Sequence, residues 1–456
     1  MVTRMHTRGW SDISGEDATK IETSSKRQKS DVSSKPANGV VAKSPLKQSA
    51  PVARKIIYNY DVDPYDYKDD ILTDAVMEML KHYDIFRIFS FDMAQMRRFV
   101  NHVKLFYNPK NLFHNFKHVW GVLHLSFQIL THGGDKYLHS LDIFAIVVAA
   151  LCHDIQHPGN NNAFELATAS DWSKAKSYNV DAGILERHHA TITQSLLNAD
   201  GTDYDILVGM NASEKEHFRR QVALIILGTD MAKHSSILAE AQGYQREASV
   251  PRAADVIITA AANDTPDNKN GSANGSTTAE TSNGNGKVKS PKSSTASRKQ
   301  FTIRQVSCSQ IAYEEAKPAR RGAVDATDPE SRLAFSRVLV HSADIGAQTQ
   351  CTKVALQWMN RCYGEFRSQA EREAMLGIVT SPFLHDLKED NKTFSAQHSF
   401  IEEIVQPLWE ALSNFLPELS FAREQLLVNK EGYKKMLADY LSEKNSSELN
   451  SKSGKK

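Results

Sequence analysis

Residues 141–159 read LDIFAIVVAALCHDIQHPG, and this stretch decides the fold. Ten apolar residues run without interruption from Ile143 to Cys152. The run is too short to cross a bilayer, so it predicts a helix buried in a soluble core. It ends in His153 and Asp154, with His157 one helical turn beyond His153. Polar groups set beside an interior need partners. A divalent metal is the partner that suits imidazole next to carboxylate.

The whole chain has room for a core around that helix. It holds 456 residues, 41% hydrophobic and 24% charged, enough for one large core or two domains. A formal net charge of +1 gives no global electrostatic case for nucleic acid or an anionic membrane. The four cysteines form no CxxC pair, which points away from a zinc–thiolate site and toward a reducing compartment. With no further apolar segment of spanning length, the expectation is a cytoplasmic protein without a membrane span. Basic residues in the N-terminal arm, Lys26 to Lys29, leave nuclear targeting as the lesser alternative. Histidine is the unusual count: 17 in all, ten of them between His102 and His189.

Outward from the central run, apolar and aromatic residues recur at helical spacing, as in ILTDAVMEMLKHYDIFRIFSF from Ile71 and KHVWGVLHLSFQIL from Lys117. Strand-like alternation is nearly absent, so the expected class is all-α. Residues 1–55 are polar and read as a disordered arm, and 444–456 as a disordered tail. An insertion at about 242–300, rich in Asn, Gly, Ser and Thr, cannot bury enough apolar surface to offset chain entropy. It interrupts residues 56–443, and the candidate ligands on both sides of it argue for one domain rather than two.

Four places could supply those ligands. His114-Asn115-Phe116-Lys117-His118 places two histidines at i and i+4, entering a helix near Asn115 and sharing a face. His153-Asp154 is the second. The third is Glu186 followed by His188-His189, and the fourth is His341 with Asp344 at the end of another apolar helix. Any one of them alone reads more readily as a hydrogen-bonded core histidine or a capping acid. Two buried helices that each end in His plus Asp, with an HxxxH element beside them, fit a site of two His and two Asp ligands. Such a set suits zinc or a similar ion, and a carboxylate can bridge to a harder ion such as Mg²⁺. Paired metals activate water for in-line attack on phosphorus, and a nearby histidine that is not a ligand can protonate the leaving oxygen. Spacing alone therefore points to a metal-dependent phosphohydrolase built on helices.

The longer pattern is more specific. Phe113 to Val119 reads FHNFKHV, His153 to Phe164 HDIQHPGNNNAF, Leu185 to His189 LERHH, and Thr229 to His234 TDMAKH. His341 to Ile345 reads HSADI, and QHSFI from Gln397 is followed by PLW from Pro407. In this order the six elements resemble the class I 3′,5′-cyclic nucleotide phosphodiesterases, a branch of the HD superfamily of phosphohydrolases. The likeness covers roughly residues 60–440.

The resemblance implies a single multi-helix catalytic domain that hydrolyses cAMP, cGMP or both to the nucleoside 5′-monophosphate. His118, His153, Asp154 and Asp344 would hold the tighter metal, Zn²⁺. Asp154 would bridge to a second, Mg²⁺ or Mn²⁺, with a bridging hydroxide as nucleophile. His114 would protonate the O3′ leaving group. His157, Glu186, His189 and Asp230 would act behind the metals or on His114. Gln397 would bond the purine edge and Phe400 stack on its face, with Phe366 and Cys362 as pocket wall, while His188 reads as structural.

Four positions depart from the family pattern. Phe113 replaces the usual Tyr, Ala347 stands where cAMP-preferring members often carry Asn, Cys362 occupies a pocket-wall position usually held by a larger apolar residue, and Ala355 stands where some relatives place a side chain that fixes the glutamine. The choice between cAMP and cGMP stays open, as does a homodimer. Two other readings stand beside this one: a different HD-type nucleotide phosphohydrolase, or an inactive domain that binds cyclic nucleotide or a partner protein.

Overall fold

The computed structural model describes residues 46–174, 183–244, 324–384, 387 and 389–453. Among them the chain forms helices and no β-strand. The N-terminal half holds α1 (Leu46–Ile57), α2 (Asp69–His82), α3 (Ile85–Ile88), α4 (Met93–Leu105), α5 (Phe116–Thr131) and α6 (Ser140–Cys152). Next come α7 (Asn162–Ala167), α8 (Asp171–Lys174), α9 (Ile184–Leu197), α10 (Ala212–Leu227) and α11 (His234–Gly243). The last group is α12 (Pro329–Asp344), α13 (Thr352–Leu376), α14 (Asp390–Phe400), α15 (Gln406–Phe415) and α16 (Ser420–Ser453). No single described helix is long and apolar enough to cross a membrane.

The expected central helix is α6. Every residue from Asp142 to Cys152 is buried, as a helix apolar on all sides requires. Helices α5, α10 and α12 pack around it. Its N-terminus is tied down by Asp142, which accepts the His139 amide at 2.9 Å, Arg332 Nε at 2.7 Å and the Gln221 side-chain amide. This buried carboxylate joins α6, α12 and α10 through one pair of oxygens. Because α12 follows the insertion and α6 precedes it, the two sides of the insertion share one hydrophobic core.

Three boundaries differ from the sequence expectation. Helix α1 begins at Leu46, inside the stretch read as a polar arm, because Ala53, Ile56 and Ile57 reach the core between its charged residues. Helix α16 runs to Ser453, past Glu443, where no Pro or Gly interrupts the backbone ladder. His114 is not on α5: Asn115 caps that helix in an extended conformation, its side chain accepting from Lys117 N and His118 N, so His114 stands outside the first turn. The shared-face argument therefore does not explain why His114 and His118 meet. The arm up to residue 45, the insertion from residue 245 and the last three residues lie outside the described residues.

Candidate active site

Four donors converge where α5, α6 and α12 meet. His118 lies in the first turn of α5, His153 is the C-cap of α6, Asp154 follows it, and Asp344 ends α12. His118 Nε2 is 3.3 Å from Asp154 Oδ2 and 3.2 Å from Asp344 Oδ1. His153 Nε2 is 3.2 Å and 3.3 Å from the same two oxygens. Donors bound to one four-coordinate ion at 2.0–2.1 Å lie about 3.3 Å apart, so this quartet has the spacing of a first coordination shell. Both Nε2 atoms are buried without a hydrogen-bond partner. His153 donates from Nδ1 to the Ala150 carbonyl at 2.9 Å, which leaves its Nε2 facing the carboxylates. Burial opposes charge at Asp154 and Asp344, yet His153 and His118 beside them hold both carboxyls below the usual carboxylate range. The donor set fits a divalent cation.

A second group shares Asp154. His189 Nε2 lies 3.8 Å from Asp154 Oδ1 and is also buried without a partner. Its Nδ1 donates to the Ile155 carbonyl at 2.6 Å, and burial pushes its pKa down to about 4, so the ring is neutral. His157 accepts the Gly159 amide on Nδ1 at 3.0 Å, which puts its proton on Nε2. Burial and the neighbouring His114 keep it neutral. Glu186 accepts from Asn162 Nδ2 at 3.0 Å, and burial with Asp230 pushes it up to about 7. A Cβ at Gly183, where φ is +43°, would stand 2.6 Å from Glu186 Oε2 and 2.7 Å from Asp230 Oδ2. Glycine there lets the two acids lie side by side.

His114 stacks on His157 with ring centroids 3.8 Å apart and planes at 19°. Its Nδ1 donates to Glu365 Oε1. Burial alone would lower its pKa, but the Glu365 carboxylate raises it to about 9. The same pairing overrides burial at Glu365 and lowers that carboxyl to about 2. Glu365, the partner of His114, is not among the site residues that the sequence suggests. The available signal was spacing, for it stands three residues after Cys362 on α13 and next to Phe366, both read as pocket wall. Phe113 keeps an aromatic ring against this site, 4.4 Å from the His118 ring and 5.7 Å from that of Trp358.

A cavity of about 730 Å³ opens beside these groups, within the range of small-ligand sites. His114, His157, Glu186 and Asp230 give its lining a polar part, and Cys362, Phe366, Gln397 and Phe400 also line it, joined by Tyr363, Phe383 and Ile404. Burial raises the Cys362 thiol, so this wall stays uncharged. The Gln397 side chain is buried and makes no hydrogen bond with another described residue. Ala347 and Ala355 are not among the lining residues. Directly after Phe400 the helix widens into a π-turn, Ile401–Val405. Pro407 accounts for this, since it lacks the N–H that an α-helical ladder would need there. Of the remaining sequence candidates, His341 is turned away to pair with His234 at 3.1 Å. His188 donates to Gln156 Oε1 at 2.9 Å and stacks on Trp172.

Comparison with known proteins agrees with this architecture. The family model described as 3′5′-cyclic nucleotide phosphodiesterase matches residues 113–426. The chain is 24% identical over 381 residues to the 3′,5′-cyclic-nucleotide phosphodiesterase regA of Dictyostelium discoideum, covering 83% of this chain and 38% of that protein. It is 24% identical over 364 residues to the 3′,5′-cyclic-AMP phosphodiesterase 4C of Rattus norvegicus, covering 79% and 54%. The chain thus spans less than two thirds of either relative. The crystal structure of the phosphodiesterase domain of Salpingoeca rosetta rhodopsin phosphodiesterase superposes with a TM-score of 0.65 at 20% identity, covering 87% of this chain and 97% of that one. The family match takes in more than half of the chain, from Phe113 beside the cavity to Leu426 on α16, and so the chain belongs to the 3′5′-cyclic nucleotide phosphodiesterase family.

Proposed function

We propose that the chain hydrolyses 3′,5′-cyclic nucleotides, cAMP, cGMP or both, to the nucleoside 5′-monophosphate. One observation carries this reading: an imidazole held by a carboxylate lines a cavity beside two histidines whose Nε2 atoms each lie 3.2–3.3 Å from oxygens of the same two aspartates. His118, His153, Asp154 and Asp344 would hold one ion, Zn²⁺ by the softness of its imidazole donors. Asp154 would be shared with a second, Mg²⁺ or Mn²⁺. When bound, the ions supply an activated water and offset charge on the phosphoryl oxygens.

The rest of the chemistry belongs to side chains. His114 donates its Nε2 proton to O3′ as the P–O3′ bond breaks and the bonding pair passes to that oxygen. Glu365, on Nδ1, keeps the imidazolium charged and aimed until the transfer. His157, with its proton on Nε2, and the carboxyl groups of Glu186 and Asp230 offer hydrogen-bonding groups to water. Gln397 can give and take a hydrogen bond at a purine edge, and Phe400 and Phe366 flank the ring. Among the described residues no neighbouring side chain fixes the Gln397 amide, so either purine edge can be met.

The test is the product. Incubation of cAMP and cGMP with metal-replete protein, followed by ³¹P NMR, is expected to show the 5′-monophosphate, the signature of P–O3′ cleavage. The 3′-monophosphate as product would refute the assigned direction. The ratio of the two kcat/KM values gives the base preference.

A further inference from the structure

The stack of His114 on His157 needs a cause outside the two rings. The bond from His114 Nδ1 to Glu365 and the bond from Gly159 N to His157 Nδ1 set how each ring is turned. They do not set the distance between the two backbone segments that carry the rings, and neither segment lies in a helix: His114 precedes α5, and His157 follows α6. Asn111 spans that gap. Its single side-chain NH₂ group donates to the His114 carbonyl and to the His157 carbonyl, each at 2.9 Å. Its Oδ1 accepts from Asn108 Nδ2 at 3.1 Å, and its backbone carbonyl accepts Asn115 Nδ2 at 2.8 Å. The same residue therefore also reaches the cap of the helix that carries His118.

The amide is packed as well as bonded. A Cβ at Gly159, where φ is +78°, would lie 3.1 Å from Asn111 Oδ1 and 3.3 Å from its Cγ, so the loop after His157 closes directly on this side chain. Both amide protons are used, on two carbonyls 43 positions apart, and the planar group fixes the angle between them.

We infer that Asn111 is a positioning residue that sets the separation of the His114 and His157 rings and so aims the proton carried by His114. This inference rests on the proposed hydrolysis for its consequence in rate, although the ring geometry can be read without substrate. A misplacement of about 1 Å in a reacting group costs on the order of 100-fold in rate, while the bulk of the cavity wall would be unchanged.

Asn111→Asp keeps the shape and removes both donors; Asn111→Ala removes the side chain. In each variant kcat for cyclic nucleotide should fall about 10- to 100-fold with KM within about twofold of wild type. Histidine labelled with ¹³C at Cε1 gives a second readout, since ring protons stacked at this distance feel each other's ring currents. Those signals should move in both variants while the thermal midpoint of Asn111→Asp stays close to wild type. Unmoved ring signals would overturn the inference. So would a loss of rate that only tracks a loss of thermal midpoint, since that marks a structural role. If wild-type protein hydrolyses no cyclic nucleotide, the proposed activity fails, and the ring signals still decide whether Asn111 sets the stack.

Discussion

Glu365 holds His114 with both of its oxygens. Oε1 accepts the hydrogen bond from Nδ1 of the ring, and Oε2 accepts those from the amides of Phe113 at 2.9 Å and His114 at 3.2 Å. One carboxylate on α13 thus fixes the ring, its backbone and its charge. Burial lowers the pKa of His114, and the Glu365 charge raises it past that to about 9. The acid form is therefore present below that value and lost as pH rises through it. Glu365→Gln removes the largest raising influence and leaves burial opposed only by the charges of Asp154 and Asp344, so the basic limb of the kcat/KM profile should move to lower pH. At pH 8 the rate should drop about tenfold or more. A basic limb at the wild-type position would show that Glu365 does not set the charge of His114.

The cavity predicts a division of labour along its lining. Phe400→Ala should raise KM for cyclic nucleotide by about 10- to 100-fold, the range for loss of one base–aromatic stack. Gln397→Ala should lower kcat/KM for cAMP and for cGMP by similar factors, because it removes a group that can meet either purine edge. Steady-state kinetics on both substrates checks each effect. An unchanged KM in Phe400→Ala would move the base elsewhere.

The sequence shows parts of this site more readily than others, for physical reasons. His153, Asp154 and Asp344 stand out because imidazole and carboxylate at the ends of apolar helices contradict their surroundings. Glu365 does not stand out, since α13 also carries Arg361, Arg367, Arg372 and Glu373 and reads as a mixed polar surface. Its burial appears when α13 lies against the loop before α5 and the loop after His157, where Gln369 Oε1 accepts the Asn161 amide at 2.9 Å and Arg372 donates to the Gly159 carbonyl at 2.9 Å. His114 is legible as a motif residue but not as a position, because the extended cap at Asn115 takes it off the helix. The start of α1 was hidden by charged residues between Ala53 and Ile57, which leave its buried face short.

A buried network away from the cavity gives a stability prediction. Asp142 and Arg332 are both buried and joined at 2.7 Å. Arg332→Ala leaves the Asp142 carboxylate in the core with the Gln221 amide and the His139 amide as its partners. Losing one member of a buried pair costs about 3–5 kcal/mol, to be read from the midpoint of denaturant unfolding. A midpoint shifted by less than about 1 kcal/mol would place this pair with ordinary surface ion pairs.

Acid should weaken the fold through His124. This ring is buried against Trp120, with centroids 5.2 Å apart, and burial lowers its pKa to about 4. The unfolded value near 6.5 lies above the folded one, so the unfolded chain takes up the proton first as pH falls. Full stability is present above about pH 6.5, and about 3 kcal/mol is lost as pH falls from there to about 4. Thermal midpoints measured across that window check the slope. A His124→Gln variant should lose part of it, and an identical slope in the variant would assign the acid sensitivity to other groups.

The most direct measurement is cAMP hydrolysis by the wild-type chain with Mg²⁺ and with chelator, beside Asp344→Ala, together with the metal content of each protein. The expected result is turnover that the chelator abolishes and added metal restores, with an Asp344→Ala protein that is inactive and has lost the tightly held ion. Turnover indifferent to chelator, or an Asp344→Ala protein with wild-type rate and metal content, would contradict metal-dependent hydrolysis at this site.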